Sequence, residues 1–259
     1  MPPRPARAIA VPAAVVLALA LGACGKGSAS STAPTPTGHG ESGKPAPPSG
    51  SPSGTAKART FAHAVNLTGA DLPGFKVATK SQHLTPAERK LEREALGCVG
   101  GAGAIHEKGT VNVPSQEFEA TLGEATRQAE SEVTVVPTPQ VAAHQLAIIR
   151  SGRARACLAH FLNLLFHGDA VKGKASVSPV HIAEGTPPAP GADGSFAWRV
   201  TTTITAQRTP VKIYLDIFGF IRGRAEVQLL TASFIQPFPA RMEEQLFSLL
   251  LERARTHAP

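Results

Sequence analysis

The chain has 259 residues, of which 42% are hydrophobic and 17% charged, with 24 Gly, 23 Pro and 3 Cys. The charged fraction lies below the roughly 25% of an average soluble protein, and the many Gly and Pro residues indicate that part of the chain does not pack. This composition excludes a collagen, a coiled coil and a multi-pass membrane protein. The net charge of +7 would suit a nucleic-acid partner in a cytoplasmic protein, so the compartment has to be settled first.

Residues 1–23 have the pattern of a signal peptide. Arg4 and Arg7 precede an uncharged, mainly apolar stretch from Ala8 to Leu21, which is shorter than the roughly 20 residues that a spanning helix needs. The stretch ends in Leu21-Gly22-Ala23-Cys24, which resembles the lipobox of bacterial lipoproteins. An ordinary signal peptide that contains a cysteine is the alternative.

The lipobox resemblance implies that Cys24 becomes the N-terminus and carries acyl chains such as palmitate. Two or more chains hold a protein on a membrane, so we expect a lipid-anchored protein on the extracytoplasmic face of the cell membrane. Nucleic acid is then not an expected partner. The basic charge would suit anionic lipid headgroups or anionic envelope polymers, although it also serves solubility alone.

Residues 24–58 are predicted to be a disordered tether. Residues 25–58 contain 7 Gly, 6 Pro, 7 Ser and 4 Thr and lack every large apolar residue type. Such a segment cannot bury enough apolar surface to offset the entropy lost on ordering. Residues 59–259 are expected to fold as a single domain.

The folded part alternates helix and strand signals. Thr85-Pro86 begins a predicted helix to about Leu96, Thr138-Pro139 begins one through Ile149, and a third runs from about Arg153 to Phe166. Residues 118–122 and 129–136, which precede the second helix, are predicted to pair as a hairpin. Residues 176–183, which follow the third helix, are a further strand candidate.

The clearest strand pattern lies near the C-terminus. Residues 196–207 alternate apolar and polar side chains, residues 211–221 repeat this after a turn at 208–210, and residues 225–235 follow the turn at 222–224. These three strands predict an antiparallel meander, and a helix from about Ala240 to Arg255 follows it. The expected fold is α+β, with an antiparallel sheet of about five to seven strands packed by helices.

With Cys24 lipidated, Cys98 and Cys157 remain. An even pair in an exported domain is most simply a disulfide, although two reactive thiols are the alternative.

Several segments together resemble the PknH-type extracellular sensor domains and related actinobacterial lipoproteins. They are Leu67-Thr68-Gly69-Ala70-Asp71-Leu72-Pro73-Gly74, the cysteine at 98, VTVVPTPQVAAHQLAIIRSGRARAC ending at Cys157, and the Gly223-Arg224 hairpin. The resemblance implies a small α+β domain that backs a sheet with helices, has a cleft for an unidentified ligand, and acts as a sensor or envelope protein and not as an enzyme.

No catalytic constellation, metal site or cofactor motif is evident. His160 and His167 lie seven residues apart with no further ligand at metal-binding spacing, and Asp71 before Leu-Pro-Gly suits a turn. We therefore expect no metal and no cofactor.

Two features could serve binding. One is a set of basic residues around the third helix that could face an anionic partner or simply be solvated: Arg150, Arg153, Arg155, Lys172 and Lys174. The other is Tyr214, Phe218 and Phe220, which lie on the opposite face of their strand from Val211 to Ile217; either a helix covers them or they line a ligand pocket.

The sequence therefore predicts a membrane-anchored, non-enzymatic binding or sensor-like domain. The alternative is an envelope carrier that holds a lipid or glycolipid in an apolar cavity, and an enzyme of unrecognised type is a third. A closed apolar cavity would favour the carrier, and a polar cleft the sensor.

Overall fold

Antiparallel strands form one sheet in this computed structural model, which describes residues 52–78, 86–99, 108–172 and 175–258. The strands are β1 (Lys76–Val77), β2 (Val111–Pro114), β3 (Phe118–Leu122), β4 (Ala125–Val135), β5 (Ala175–Val177), β6 (His181–Gly185), β7 (Gly194–Ala206), β8 (Thr209–Arg222) and β9 (Ala225–Phe234). The α-helices are α1 (Pro52–Val65), α2 (Pro86–Val99), α3 (Pro139–Ile149), α4 (Gly152–Lys172) and α5 (Ala240–Thr256). The predicted α+β class and C-terminal helix are confirmed.

The order of the sheet within the described residues is β1-β3-β4-β9-β8-β7-β5, with β2 paired to β4 and β6 paired to β7. The strands β7, β8 and β9 form the predicted meander at its centre. Nine strands exceed the expected five to seven, because β1 and β2 are too short to show a period. In addition, the single strand expected at 176–183 is divided into β5 and β6, where the Val180 amide donates to Asn163 Oδ1 of α4 at 3.1 Å.

Helices cover both faces of the sheet. On one face, which we call the α3/α4 face, Leu146 of α3 and Phe161 of α4 pack on Phe196 and Leu215. On the other, the α1/α5 face, Phe61 of α1 and Leu250 of α5 pack on Val227. The sheet is therefore the middle layer of three, which buries both faces of its central strands.

The β7–β8 turn lies earlier than predicted. Gln207 and Arg208 form it with φ values of 52° and 67°, so Thr209 and Pro210 already belong to β8. Two consecutive residues with positive φ are typical of a type I′ hairpin turn, whose twist matches that of the strands. The turn at Gly223 lies where the sequence predicts it.

Helix α1 corrects the predicted end of the tether. It begins at Pro52, so residues 52–58 are helical and not part of a disordered tether. Ala58, Phe61, Ala62 and Val65 recur at helical spacing and are all buried. A helix anchored by such a face extends into its preceding turn at little cost, because propagation is far easier than nucleation.

The predicted disulfide between Cys98 and Cys157 is present and joins α2 to α4. The two cysteines are 59 residues apart in sequence, and their Cα atoms lie 5.8 Å apart. Residues 1–23, Cys24 and the tether up to residue 51 lie outside the described residues. No helix in the described ranges is long and apolar enough to cross a membrane.

Candidate functional site

A row of acidic and amide side chains lies on the α3/α4 face of strands β4 and β9. We call Glu130, Glu132, Glu226 and Gln228 the carboxylate row. Glu132 is paired with Gln228 and Thr134 with Glu226, so the row's members share one face of two adjacent strands. Glu130 is paired with Leu230, which belongs to the core beneath α3 and α4, so this face points into the protein.

All four side chains of the carboxylate row are buried. The exposed fraction is 0% for Glu226, 1% for Gln228, 5% for Glu132 and 7% for Glu130. Buried carboxyl groups are rare in proteins unless another group compensates them, because transfer from water removes their hydration. The position of the row on central strands is therefore energetically costly.

Hydrogen bonds satisfy only part of the row. Gln228 Nε2 donates to Glu226 Oε1 at 2.8 Å. Four further oxygens have no hydrogen-bond partner among the described residues: Glu130 Oε1, Glu132 Oε1, Glu226 Oε2 and Gln228 Oε1. A buried acceptor without a donor costs about 1–3 kcal/mol. The row thus contains four buried oxygens that lack a hydrogen-bond partner among the described residues.

The environment of the row raises the pKa of all three glutamates to about 8. For Glu130 the causes are burial and then the negative charges of Glu117 and Glu132. Burial is also the main cause for Glu132 and Glu226. A hydrogen bond with Asn112 partly lowers the pKa of Glu132, and one with Gln228 partly lowers that of Glu226. At neutral pH these carboxyl groups are therefore mostly protonated.

An aromatic ring borders the row on strand β8. Gly219 is paired with Gln228 and faces the same side of the sheet. A Cβ at Gly219 would lie 2.3 Å from a ring atom of Phe196, so only glycine permits this ring to lie flat on the strand. Phe196 and Gly219 thus form an apolar margin beside the acceptors.

The row does not have the geometry of a metal site. Among the residues with described positions, no group of three His, Cys, Asp or Glu side chains could hold a metal ion. His160 and His167, the histidines considered from the sequence, are both exposed on α4, and His167 Nδ1 lies 2.7 Å from the Asn163 carbonyl oxygen of its own helix.

A second buried acidic cluster, on the α1/α5 face, is fully compensated. Arg199 Nη2 donates to Asp216 Oδ2 at 3.0 Å and to Glu243 Oε2 at 3.4 Å, and the Thr231 hydroxyl donates to Glu243 Oε1 at 2.8 Å. Burial and the neighbouring Asp216 raise the pKa of Glu243 to about 7. We call these four residues the Arg199 cluster, which attaches the first turn of α5 to strands β7, β8 and β9.

Asp71 also has a structural role, as its turn sequence suggests. Its carboxylate accepts hydrogen bonds from the Thr68 amide at 2.7 Å and from Arg253 Nη2 at 2.8 Å. Burial alone would raise the pKa of Asp71, but the hydrogen bonds from Arg253 and Thr68 lower it below its usual value. The pair holds the C-terminal end of α5 against the turn at 68–72.

The basic residues around α4 have partners within the chain. Arg150 Nε donates to the Ser195 carbonyl oxygen at 3.1 Å, Arg153 Nε to the Cys98 carbonyl oxygen at 2.6 Å, and Arg155 pairs with Glu184 at 2.8 Å. These contacts join α3 and α4 to β6, β7 and α2. The side chains of Lys172 and Lys174 lie outside the described residues.

A helix covers Phe218 and Phe220 of β8, which is the first of the two alternatives that the sequence leaves open. The Phe247 ring of α5 lies 6.1 Å from that of Phe218 and 5.6 Å from that of Phe220. Lys212 Nζ lies 5.1 Å from the centre of the Tyr214 ring. Phe218 and Phe220 thus belong to the core, and no ligand pocket is required to explain them.

A shallow open groove lies on the outer side of α5. The residues that line it are Arg241, Glu244, Gln245, Ser248 and Leu249. This groove is a surface of one helix and contains no buried polar group, unlike the carboxylate row.

Sequence patterns do not reveal the carboxylate row. Glu130 and Glu132 alternate with Ala129, Ser131 and Val133, which is the pattern of a strand with one solvated face. The order of the strands, which places β4 and β9 side by side, is the information that brings Glu226 to Glu132. Acidic residues at alternate positions of two strands are the only signal in the sequence.

No protein-family model and no curated protein matches this sequence. The structure is similar to the extracellular domain of PknH from Mycobacterium tuberculosis, with 9% identity and a TM-score of 0.40 over 77% of this chain and 97% of that chain. It is also similar to a putative uncharacterised protein, an Rv0999 ortholog, from Mycobacterium smegmatis, with 13% identity and a TM-score of 0.32 over 71% of this chain and 90% of that chain. The extracellular domain of PknH is a member of the family that the sequence resembles. No functional residue is transferred from either structure.

Proposed function

We propose that this protein is an extracytoplasmic, non-enzymatic binding domain with a sensor-like role, and that it binds a small ligand at the carboxylate row. The observation that supports this most is the set of four buried oxygens on central strands that have no hydrogen-bond partner among the described residues. A buried polar group without a partner calls for a physical explanation, and a bound ligand is one. A ligand that carries hydrogen-bond donors would satisfy these oxygens.

The rigidity of the sheet suits binding. Both β4 and β9 are paired on each side, β4 with β2, β3 and β9, and β9 with β4 and β8. Acceptors on such strands keep their positions whether or not a ligand is present, which lowers the entropic cost of binding.

The extracytoplasmic location is part of the proposal. The disulfide between Cys98 and Cys157 supports it, because such bonds persist in oxidising compartments. The signal peptide at residues 1–23 and the lipid on Cys24 rest on sequence patterns alone. With α1 beginning at Pro52, the proposed tether comprises residues 25–51.

The anchor has a direct test. We expect Cys24→Ser to release the protein from the membrane fraction into the soluble fraction of the producing cell, because a signal peptide of this length cannot anchor it alone. Membrane retention of the Cys24→Ser variant at the wild-type level would contradict lipidation at Cys24.

Native mass spectrometry of the protein purified from its producing membrane tests the binding function. We expect a bound small molecule on the wild-type protein that is lost from the Glu132→Gln/Glu226→Gln variant. Glu124→Gln is a matched control, since Glu124 is exposed in the β3–β4 turn, and it should retain the molecule. An acyl lipid retained equally by all three proteins would favour the carrier alternative, and no bound molecule on any of them would contradict the proposal.

A further inference from the structure

We propose that the ligand of the carboxylate row is a linear polyamine, bound as a cation with one ammonium group at each pair of neighbouring carboxyls. This proposal rests on the proposed binding function and specifies the chemical class of its ligand. Three observations support it: the spacing of the glutamates, the type of their unpartnered atoms, and the burial of the row.

The spacing of the row suits a linear molecule. Glu130 and Glu132 are two residues apart on one strand, which separates their Cα atoms by about 7 Å. Glu226 is paired with Thr134 and is therefore diagonal to Glu132, at about 7–8 Å. The Cα atoms of the three glutamates thus follow one elongated path, first along β4 and then across to β9. Five single bonds in extended form separate the nitrogens of 1,4-diaminobutane by about 6 Å.

In the ionised form of the row, the unpartnered atoms are all acceptors. Besides the carboxyl oxygens they include Gln228 Oε1, on a side chain that is 99% buried and whose amide nitrogen is bonded to Glu226 within the same row. An ammonium group has three donors and no acceptor, so it matches this set. A phosphate, a carboxylate or a sulfate would place acceptors against acceptors. Charge-assisted hydrogen bonds of this kind are roughly twice as strong as neutral ones.

A single metal ion fits the row less well than a polyamine. This agrees with the lack of a metal-binding group among the described side chains. An elongated cation can contact the carboxyls in turn.

Binding of a polyamine should release protons. In the free protein the glutamates hold their protons, and an ammonium group stabilises the carboxylate form. Each neutral carboxyl that pairs with an ammonium therefore loses a proton to the solvent, while the ammonium keeps its own protons. The affinity should consequently rise with pH until the carboxyls are ionised.

Few other charged groups act on the row. Within the described residues, the charge of Glu117, which directly precedes β3, raises the pKa of Glu130, and the charge of Glu119 raises that of Glu117. Asn112 of β2 is bonded to Glu132. On β8 the neighbouring residues of this face are Gly219 and Ile221, and α3 and α4 present mainly apolar side chains, such as those of Leu146 and Phe161, to the sheet. The pH dependence should therefore arise from the row and Glu117.

Isothermal titration calorimetry of the full chain in detergent tests this inference, with 1,4-diaminobutane and spermidine as probes and n-butylamine and MgCl2 as controls. At pH 8.5 we expect both polyamines to bind at least about tenfold more tightly than n-butylamine or Mg²⁺. At pH 6.0 the polyamine affinity should fall at least about tenfold, and titrations in two buffers of different ionisation heat at pH 7.5 should show proton release.

Variants separate the row from nonspecific charge effects. Glu132→Gln and Glu226→Gln should each weaken diamine binding at pH 8.5 at least about tenfold, and Glu124→Gln should leave it unchanged. Both row variants remove a buried titrating group and should fold, which near-UV circular dichroism would verify. Absence of polyamine binding at pH 8.5, or equal binding by all variants, would overturn the inference. If the row variants nevertheless lose a molecule that co-purifies with the wild-type protein, the proposed function stands and only the ligand class is wrong.

Discussion

The two faces of the sheet bury acidic side chains in opposite ways. On the α1/α5 face, Asp216 and Glu243 share Arg199, and Glu243 also accepts a hydrogen bond from Thr231. On the α3/α4 face, Glu130, Glu132 and Glu226 have no cationic partner among the described residues and retain unpartnered oxygens. A compensated cluster attaches a helix, whereas an uncompensated one weakens the fold unless a ligand binds it. The two faces therefore differ in whether a cation of the same chain pairs with the buried acidic groups.

The helices on the two faces are also attached by different interactions. Ion pairs of Arg199 and Arg253 hold the two ends of α5. A disulfide instead joins α2 to α4 on the other side. Helices α2 and α4 are thus held to one another covalently.

The largest expected effect comes from removing that covalent link. The Cys98→Ser/Cys157→Ser variant should lose about 4 kcal/mol of unfolding free energy, since closing a loop of 59 residues restricts the unfolded chain. Denaturant unfolding of oxidised wild-type protein, reduced wild-type protein and the variant measures it. The reduced wild-type protein should match the variant, and equal stability of all three would show that ion pairs alone hold both layers.

Removing the arginine should have the next largest effect. Arg199→Met leaves Asp216 and Glu243 buried without a cation, which should cost about 3 kcal/mol of unfolding free energy at pH 8. Arg199→Lys should recover part of this loss because it restores the charge but not the two-pronged geometry. A loss below about 0.5 kcal/mol for Arg199→Met would contradict the distinction between the two faces.

Removal of a carboxylate from the row should change the free energy of unfolding less than the two changes above, and should increase it. Because the pKa of its glutamates is raised to about 8 in the folded protein, the folded state binds more protons than the unfolded state between about pH 4.5 and pH 8. Without ligand, stability should therefore be greatest at the acidic end of this range and fall as the pH rises. Glu243, with a pKa raised to about 7, acts in the same direction.

Neutral variants of the row should remove part of that pH dependence. We expect Glu132→Gln and Glu226→Gln each to stabilise the free protein by roughly 2 kcal/mol at pH 8.5 and to change it little at pH 5, as measured by chemical denaturation at both values. Glu124→Gln, at an exposed position, should change neither. Destabilisation of the row variants at pH 8.5 would mean that the carboxylates have stabilising partners, and the contrast with the Arg199 cluster would fail.

The local elements could largely be predicted because their signals lie within short segments. Alternation predicted β7, β8 and β9, the Thr138-Pro139 pair predicted the start of α3, and the cysteine count predicted the disulfide. The predictions were wrong about residues 52–58, because small residues without large apolar neighbours can extend a helix whose later turns are packed. The number of strands was underestimated because two- to four-residue strands have no measurable period.

The candidate site, in contrast, could not be predicted at all. Alternation along β4 and β9 correctly assigns Glu130, Glu132 and Glu226 to the polar side of their strands. Alternation with a period of two residues shows which side chains lie on the same face of a strand. It contains no information about what covers that face. The same pattern occurs on a sheet with one face in water.

The sequence by itself determined the α+β class, the meander and the cysteine pairing, since these follow from local periodicity and residue counts. Only the tertiary structure decided that helices cover both faces of the sheet and that strand order places Glu226 diagonally beside Glu132. The physical reason is that burial is a property of the layers around a strand and not of the strand. Whether a carboxyl group is solvated or a preorganised acceptor therefore depends on contacts distant in sequence.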